Sequence, residues 1–195
     1  MEFIIASHNQ KKIREMDAIL GALGISFSPL PEGAPEPEET GTTFEENALI
    51  KAQAACQLTA KPAIADDSGL AVEALDGAPG IYSARYCEGS DADRNAFLLR
   101  KMEAVPDGSR QAKFVSAIAC AFPNGDTLTV RGECPGEILR ELHGEGGFGY
   151  DPLFWYDEAG CTFAELSAEQ KNRVSHRARA LQKMKQVLGE YYAEQ

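Results

Sequence analysis

The sequence predicts an α/β protein, in which short strands and helices alternate along the chain. The first segment, "EFIIA" at residues 2–6, contains the β-branched residues typical of a strand. A helical pattern follows at residues 11–23, because apolar residues recur there at spacings of three and four. These apolar residues are Ile13, Met16, Ile19, Leu20 and Leu23. A strand, a short loop and a helix in direct succession favour an α/β fold.

The next segments predict a second strand, a long loop and a second helix. "ISFS" at residues 25–28 is strand-like, and residues 29–41 are rich in Pro and Glu, which is typical of a loop. The helical pattern after this loop has a capping box that starts at either Thr42 or Thr43, each with a glutamate three residues later. Pro62 ends that pattern.

The segment "PAIADDSGLAV" places two adjacent carboxylates after a short apolar run. "PAIA" at residues 62–65 predicts a strand, and "LAVEAL" at residues 70–75 predicts further extended chain. Between them, Asp66 and Asp67 would repel each other if both were charged in one place. We therefore expect the Asp-Asp-Ser-Gly sequence either to form a turn or to bind a cation at the end of a strand.

The second half of the chain predicts a helix, a hairpin and a terminal helix. Asp91 or Asp93 is expected to cap a helix that extends to about residue 104. Residues 110–122 and 127–134 are strand-like and flank a Pro-Asn-Gly-Asp turn, which predicts a β-hairpin. A glycine-rich segment follows, and one long basic helical pattern ends the chain. Its core-like apolar positions are Leu181, Met184, Val187 and Leu188.

Length and composition favour one soluble domain, expected over residues 1–195. The formal net charge of −11 disfavours non-specific binding to nucleic acid or to anionic membranes. Five widely spaced cysteines without a metal-binding spacing suggest reduced thiols and a cytoplasmic location. We see neither a signal peptide nor an apolar run near the ~18 residues of a membrane helix.

Two segments have a composition suited to binding phosphate or a metal ion. "ASHNQKK" at residues 6–12 precedes a helix, whose N-terminal N–H groups can bind phosphate; the alternative is a surface loop that only caps the helix. Glu38 or Glu39 could combine with Asp66 and Asp67 into an all-oxygen site, which suits Mg²⁺. The alternative for these acids is a solvated surface.

Two later segments have a composition suited to binding a base or an anion. "GEGGFGYDP" at residues 144–152 combines glycines with Phe148 and Tyr150, which favours stacking of a base on an aromatic ring over a merely flexible loop. A basic cluster follows in an otherwise acidic chain, which favours contact with an anion over a solvated helix face. Its residues are Lys171, Arg173, His176, Arg177 and Arg179.

Taken together, these segments resemble one known family, the noncanonical purine nucleoside triphosphate pyrophosphatases, also called inosine triphosphatases or Ham1-like proteins. The resemblance extends from near the N-terminus to about residue 181. The matching segments are "ASHNQKK", "EETGTTFEENALIKA", "PAIADDSGLAVEALDGAPGIYSARY", "GGFGYDPLF" and "EQKNRVSHRARAL".

The resemblance implies an α/β fold of Ham1- and Maf-like architecture: a long, mixed, twisted sheet with helices in two lobes around a central substrate cleft. It also implies a cytoplasmic homodimer. The implied activity is Mg²⁺-dependent hydrolysis of inosine and xanthosine triphosphates and their deoxy forms to the monophosphate and pyrophosphate. Such an activity keeps deaminated purines out of DNA and RNA.

The resemblance further implies roles for individual residues. Asp67 would be the proton acceptor and would bind Mg²⁺ together with Glu38. The phosphates, base and sugar would contact Ser7, His8, Asn9, Gln10, Lys11, Lys12, Lys51, Ser68, Phe148, Gly149, Tyr150, Asp151, Lys171, His176 and Arg177. One departure is His8, since many members have Thr-Gly-Asn or Ser-Asn-Asn where this chain has Ser-His-Asn.

Three other functions are weighed against this one. A nucleotide sensor without turnover would not need the proton acceptor Asp67. A phosphoacceptor receiver domain would have its acidic pair at the first strand, where this chain has Ser-His-Asn. A pyrophosphatase for modified pyrimidine nucleotides would share the architecture, but the Gly-Phe-Gly-Tyr-Asp and Ser-His-Arg segments favour purines.

Overall fold

The computed structural model describes residues 2–194 and confirms the predicted α/β class. Seven strands form one sheet in the order β2-β1-β3-β4-β5-β6-β7. They are β1 (Glu2–Ile5), β2 (Ser26–Pro29), β3 (Ala63–Val72), β4 (Gln111–Ala121), β5 (Thr127–Ile138), β6 (Phe154–Tyr156) and β7 (Cys161–Thr162). β1 is parallel to β2 and β3, whereas β6 is antiparallel to β5 and β7, so the sheet is mixed.

Five α-helices accompany the sheet within the described residues, together with four short 3₁₀ segments. The α-helices are α1 (Gln10–Ala22), α2 (Phe44–Thr59), α3 (Asp91–Lys101), α4 (Ala168–Val174) and α5 (His176–Ala193). The 3₁₀ segments are Glu73–Leu75, Gly80–Arg85, Asp151–Leu153 and Phe163–Glu165. None of the α-helices within residues 2–194 is long and apolar enough to cross a membrane.

The chain divides into two compact units. Unit 1 comprises residues 1–67, 116–132 and 176–195, and unit 2 comprises residues 68–115 and 133–175. The strands β3, β4 and β5 each contribute residues to both units. That residues 1–195 make one functional domain stays a prediction.

The core of unit 1 confirms the periodicity read from the first helix. Met16, Ile19 and Leu20 of α1 are buried together with apolar residues of α5. Ile13 and Leu23 pack against the same core while partly exposed. The predicted core positions of the last helix are also confirmed, with Leu181, Met184 and Leu188 buried and Val187 half-buried.

The expected turn at the two aspartates is wrong. β3 is one continuous strand of ten residues, and Asp66 and Asp67 lie in its interior. The charged residues are tolerated there because residues distant in sequence pair with them, as described below. A local reading of turn-forming residue types could not detect those partners.

The start of α2 confirms one of the two predicted caps. Thr43 Oγ1 accepts a hydrogen bond from the N–H of Glu46, at 3.1 Å. The Glu46 carboxylate reaches back by one further residue and accepts from the N–H of Thr42, at 2.6 Å. The helix ends at Thr59, where Ala60 adopts a left-handed conformation before Pro62 is reached.

Two other helix boundaries differ from expectation. The cap of α3 is Ser90, which forms a capping box with Asp93, rather than either aspartate alone. The predicted long terminal helix is two helices, because Ser175 has an extended backbone with ψ 161°.

The hairpin and the reduced cysteines are as predicted. β4 and β5 are neighbours in the sheet, and the turn between them closes with a hydrogen bond from the N–H of Phe122 to the carbonyl of Asp126. None of the five cysteines, all of which lie within the described residues, forms a disulfide. In unit 2, the rings of Phe114, Phe154 and Phe163 pack on one another within the core.

Candidate active site

β3 presents its two aspartates to different helices of unit 1. Successive side chains of a strand point to opposite faces of the sheet. Asp66 contacts α1 and α5 through Lys12 and Arg177, whereas Asp67 contacts α2 through Lys51. The strand therefore separates two carboxylates that are adjacent in sequence.

Asp66 is a fully paired carboxylate. It accepts from Ser116 Oγ at 2.6 Å, lies 3.0 Å from Lys12 Nζ, and receives Nε and Nη2 of Arg177 at 3.3 Å each. Arg177 is itself buried and also pairs with Glu15 of α1. Burial alone would raise the pKa of Asp66, but the charges of Arg177 and Lys12 hold this pKa well below its usual value. Asp66 is therefore a permanent anion and a poor proton acceptor.

Asp67 is only partly paired. Its Oδ1 accepts from Lys51 Nζ at 3.2 Å, and the same ammonium group donates to the backbone carbonyl of Asp66 at 2.8 Å. No residue within the described part of the chain hydrogen-bonds to the buried Oδ2 of Asp67. Burial raises the pKa of Asp67 to about 6, although Lys51 and Lys12 lower it. A carboxylate with a pKa near the working pH is suited to general-base catalysis.

The acidic loop contributes Glu39 to this cluster. Glu39 Oε1 lies 3.8 Å from Lys51 Nζ and its side chain is largely buried, and its charge is one of those that raise the pKa of Asp67. Glu38, which the resemblance implies as a metal ligand, is exposed. Its role stays a prediction, and Glu39 is the better placed of the two.

The residues around Asp67 fit a divalent cation that also binds substrate. Within residues 2–194 there is no group of three or more side chains that could hold a metal ion by themselves. Mg²⁺, however, commonly takes one or two carboxylates and completes its shell with waters and substrate phosphates. The unpartnered Oδ2 of Asp67 supplies such a ligand oxygen.

The predicted phosphate loop forms the start of α1. Asn9 caps the helix, because its Oδ1 accepts from the N–H groups of Lys11 and Lys12 at 3.1 and 3.2 Å. Ser7 Oγ in turn accepts from the N–H of Asn9. His8, Asn9, Gln10 and Lys11 are exposed. Capping does not exclude phosphate binding here, since Ser7 and Asn9 hold the backbone of the loop while His8, Gln10 and Lys11 stay exposed to solvent.

Unit 2 brings together three of the residues predicted for base binding. The buried Asp151 accepts from Lys171 Nζ at 2.6 Å and from the N–H of Phe148 at 3.0 Å. The Lys171 ammonium group lies 4.6 Å from the centre of the Phe148 ring. Gly147 permits this arrangement, because its φ is +66° and a Cβ there would lie 2.1 Å from Asp151 Oδ2. Asp151 thus holds both the backbone of Phe148 and the cation beside its ring.

The α3 helix holds the backbone of Gly149 from both sides. Asp91 Oδ2 accepts from the N–H of Gly149 at 2.8 Å, and Asn95 Nδ2 donates to its carbonyl at 2.9 Å. The neighbouring Tyr150 is buried and donates from its hydroxyl to the carbonyl of Ser83 at 2.7 Å. Tyr150 thus supports the loop from the core, which differs from a base-stacking role.

The profile of the Ham1 family matches residues 3–187. The chain belongs to the Ham1 family.

Relatives of this Ham1 chain are similar over their whole length. A protein named dITP/XTP pyrophosphatase from Pseudomonas aeruginosa is 52% identical over 96% of this chain and 97% of its own. A protein of the same name from Desulforamulus reducens is 48% identical over 100% and 99%. The structure of a HAM1 protein from Coxiella burnetii, 44% identical, superposes with a TM-score of 0.88 over 97% of this chain and 99% of that one.

The remaining predicted residues of this Ham1 protein lie near the two clusters in sequence. Ser68 follows Asp67 on β3 and is half-buried. His176 is buried at the start of α5, next to Arg177. The guanidinium group of Arg177 binds two carboxylates of unit 1, so it has a structural role that its predicted contact with the base did not anticipate.

Sequence reasoning missed four partner residues: Glu15, Ser116, Asp91 and Asn95. Each lies in a predicted helix or strand, and none belongs to a sequence motif for ligand binding or catalysis. Asp91 was noticed, but only as a helix cap. A signal existed in α3, where Asp91 and Asn95 are four residues apart and therefore share one helix face.

Proposed function

We propose that this chain is a Mg²⁺-dependent nucleoside triphosphate pyrophosphatase. Its substrates would be ITP, dITP, XTP and dXTP, and its products the nucleoside monophosphate and pyrophosphate. The buried Asp67, with one unpartnered oxygen next to Lys51, is the observation that carries this proposal. The names of the full-length relatives support the substrate class.

In the proposed reaction, Asp67 accepts the proton of the attacking water. In the metal-free protein burial raises the pKa of Asp67, and Lys51 holds its Oδ1, which leaves Oδ2 for the incoming proton. When bound, Mg²⁺ would supply positive charge that stabilises the developing charge on the phosphate oxygens. Asp67 would hold Mg²⁺ together with a carboxylate of the acidic loop. The position of the side chains favours Glu39 for this role, whereas the family resemblance favours Glu38.

The leaving pyrophosphate would be stabilised by cations of unit 1. Lys51 and Lys12 are half-buried, and the loop of residues 7–12 lies at the N-terminus of α1, where N–H groups favour anions. These groups are already in place, so little reorganisation is needed as charge develops. No covalent enzyme intermediate is required.

The base would be bound by the cluster of unit 2. Phe148 offers a ring for stacking, and Gly149 and Asp151 hold the loop in place. The resemblance implies contacts with base or sugar for Ser68, His176 and Arg177 as well. Hypoxanthine and xanthine carry a keto oxygen at position 6, which accepts from a hydrogen-bond donor, whereas the amino group of adenine would face that donor with another donor.

The deciding experiment measures products from five nucleotides with Mg²⁺ present. We expect pyrophosphate to be released from ITP, dITP and XTP far faster than from ATP or GTP. Orthophosphate as the first product would contradict the reaction type, and equal rates on all five would contradict the specificity. Binding without turnover would instead favour the nucleotide sensor.

Assembly and compartment are part of the same proposal. The homodimer is supported by the family resemblance, and the cytoplasmic location by five cysteines that form no disulfide. Sedimentation of the purified protein tests the dimer, since a mass near 21.1 kDa would mean a monomer. Fractionation of the source cells tests the compartment.

A further inference from the structure

Asn47 of α2 is a buried polar side chain with one half of its amide unused. It is 0% exposed. Its Oδ1 accepts from the N–H of Gly41 at 2.8 Å, but no residue in the part of the chain that the structure describes accepts from its Nδ2. A buried donor without an acceptor is costly and uncommon in native proteins. An unused donor of this kind points to a ligand.

The direction of the Asn47 amide is fixed by its neighbour. If the amide were turned over, its NH₂ group would face the N–H of Gly41, and two donors would meet. The contact is tight as well, because a Cβ on Gly41 would lie 2.6 Å from Asn47 Oδ1 and 2.7 Å from Glu46 Cβ. Oδ1 must therefore be the atom that accepts from the acidic loop, and Nδ2 is the atom left without an acceptor among the described residues.

Asn47 also lies beside the proposed catalytic cluster. It precedes Lys51 by four residues on α2, so the two side chains share one face of the helix. Lys51 contacts Asp67 and lies near Glu39, two residues before Gly41 in the loop that Asn47 holds. Asn47 therefore holds the loop that contributes Glu39 to this cluster and shares a helix face with Lys51.

We propose that Asn47 is a further substrate-binding residue, which donates from Nδ2 to an oxygen of the triphosphate while its Oδ1 holds the acidic loop. This inference rests on the proposed function and adds a neutral donor to the cations Lys12 and Lys51. A neutral donor binds an anionic oxygen without adding a charge that would weaken the proton affinity of Asp67.

The main test compares pyrophosphate binding by the wild type and Asn47→Asp, measured by calorimetry with Mg²⁺. The aspartate keeps an oxygen for the N–H of Gly41 but has no NH₂ group. Loss of a hydrogen bond to a charged oxygen should weaken binding about 10- to 100-fold. Hydrogen exchange of the Gly41 amide should stay slow, which shows that the loop is still docked.

The matched control is Gln53→Glu, which makes the same amide-to-acid change at an exposed position of α2. It should bind pyrophosphate like the wild type. Asn47→Ser removes the donor without adding charge, so it separates loss of the hydrogen bond from charge repulsion. A loss of affinity in Asn47→Asp alone, with Asn47→Ser unaffected, would overturn the proposal.

A second measurement needs no variant of the binding protein. In ¹⁵N-labelled wild type, the side-chain NH₂ signal of Asn47 should shift and its exchange with solvent should slow when pyrophosphate is added. An unchanged signal at saturating pyrophosphate would overturn the inference. The proposed function fails separately, if the wild type releases no pyrophosphate from XTP.

Discussion

Asp66 and Asp67 are chemically identical neighbours in sequence, yet their surroundings differ in every respect that matters for reactivity. Asp66 has a partner for both oxygens and a lowered pKa, because two cations and a hydroxyl converge on it. Asp67 has one unpartnered oxygen and a raised pKa, because burial outweighs the charges of Lys51 and Lys12. The comparison shows that pairing, rather than residue type, separates a structural carboxylate from one available for chemistry.

The substitution Asp67→Asn should have the greatest consequence for activity. The amide cannot accept the proton of the attacking water, so we expect turnover of XTP to fall by about 10²–10⁴-fold. Pyrophosphate release measures the loss, and circular dichroism shows that the fold is retained. Near-normal turnover would remove Asp67 from the role of proton acceptor.

The corresponding change in the paired carboxylate, Asp66→Asn, should act mainly on stability. It leaves the buried Arg177 with Glu15 as its remaining carboxylate and removes the partner of Lys12. Breaking a buried ion pair by removing one member costs about 3–5 kcal/mol. Urea unfolding measures this loss, with the exposed Asp17→Asn on α1 as the control.

The two aspartates should also differ in how stability depends on pH. Asp67 has a raised folded-state pKa, so the folded protein binds this proton more tightly than the unfolded chain does. Stability from the protonated form is complete below about pH 4 and is lost as pH rises to about 6. In EDTA, we therefore expect the wild type to lose roughly 2–3 kcal/mol relative to Asp67→Asn between pH 4 and pH 7.

The pH dependence of stability that comes from Asp66 has the opposite sign. Its lowered folded-state pKa contributes stability above about pH 4, and this contribution is lost as pH falls further. The difference between wild type and Asp66→Asn should therefore stay constant between pH 4 and pH 7. A constant difference for Asp67→Asn over the same interval would contradict the raised pKa.

The smallest expected effect distinguishes the two glutamates of the acidic loop. Because Glu39 lies near Lys51 and Glu38 is exposed, Glu39→Gln should raise the half-saturating Mg²⁺ concentration about 10-fold, and Glu38→Gln should change it less. Metal titration of activity measures both. The reverse order would assign the ligand to Glu38, as the resemblance implies.

The features that the sequence predicted well depend on local patterns. The periodicity of α1 and the turn after β4 each involve residues close together in the chain. The continuity of β3 could not be predicted in this way, because Asp66 is paired by Lys12, Ser116 and Arg177, which come from three distant segments. The break at Ser175 was hidden for another reason, since the residues on either side of it both favour helix.

Among the site residues too, those in recognisable motifs were predicted, and those defined by distant contacts were missed. Phe148, Asp151 and Lys171 were predicted by motif, and the structure brings them together. Their supports, Asp91 and Asn95, bind a backbone amide and carbonyl, which any residue provides. Contacts with the backbone leave no recognisable pair of residue types, so they were missed.

The pleat of β3 makes the order of its residues as important as their identity. Insertion or deletion of one residue just before Asp66 would shift the register and turn each carboxylate to the opposite side of the sheet. The first acid would then meet Lys51, and the second would face Arg177. A register shift of one residue thus decides which aspartate remains available to water. Insertions and deletions in this segment should therefore be tolerated less well than substitutions.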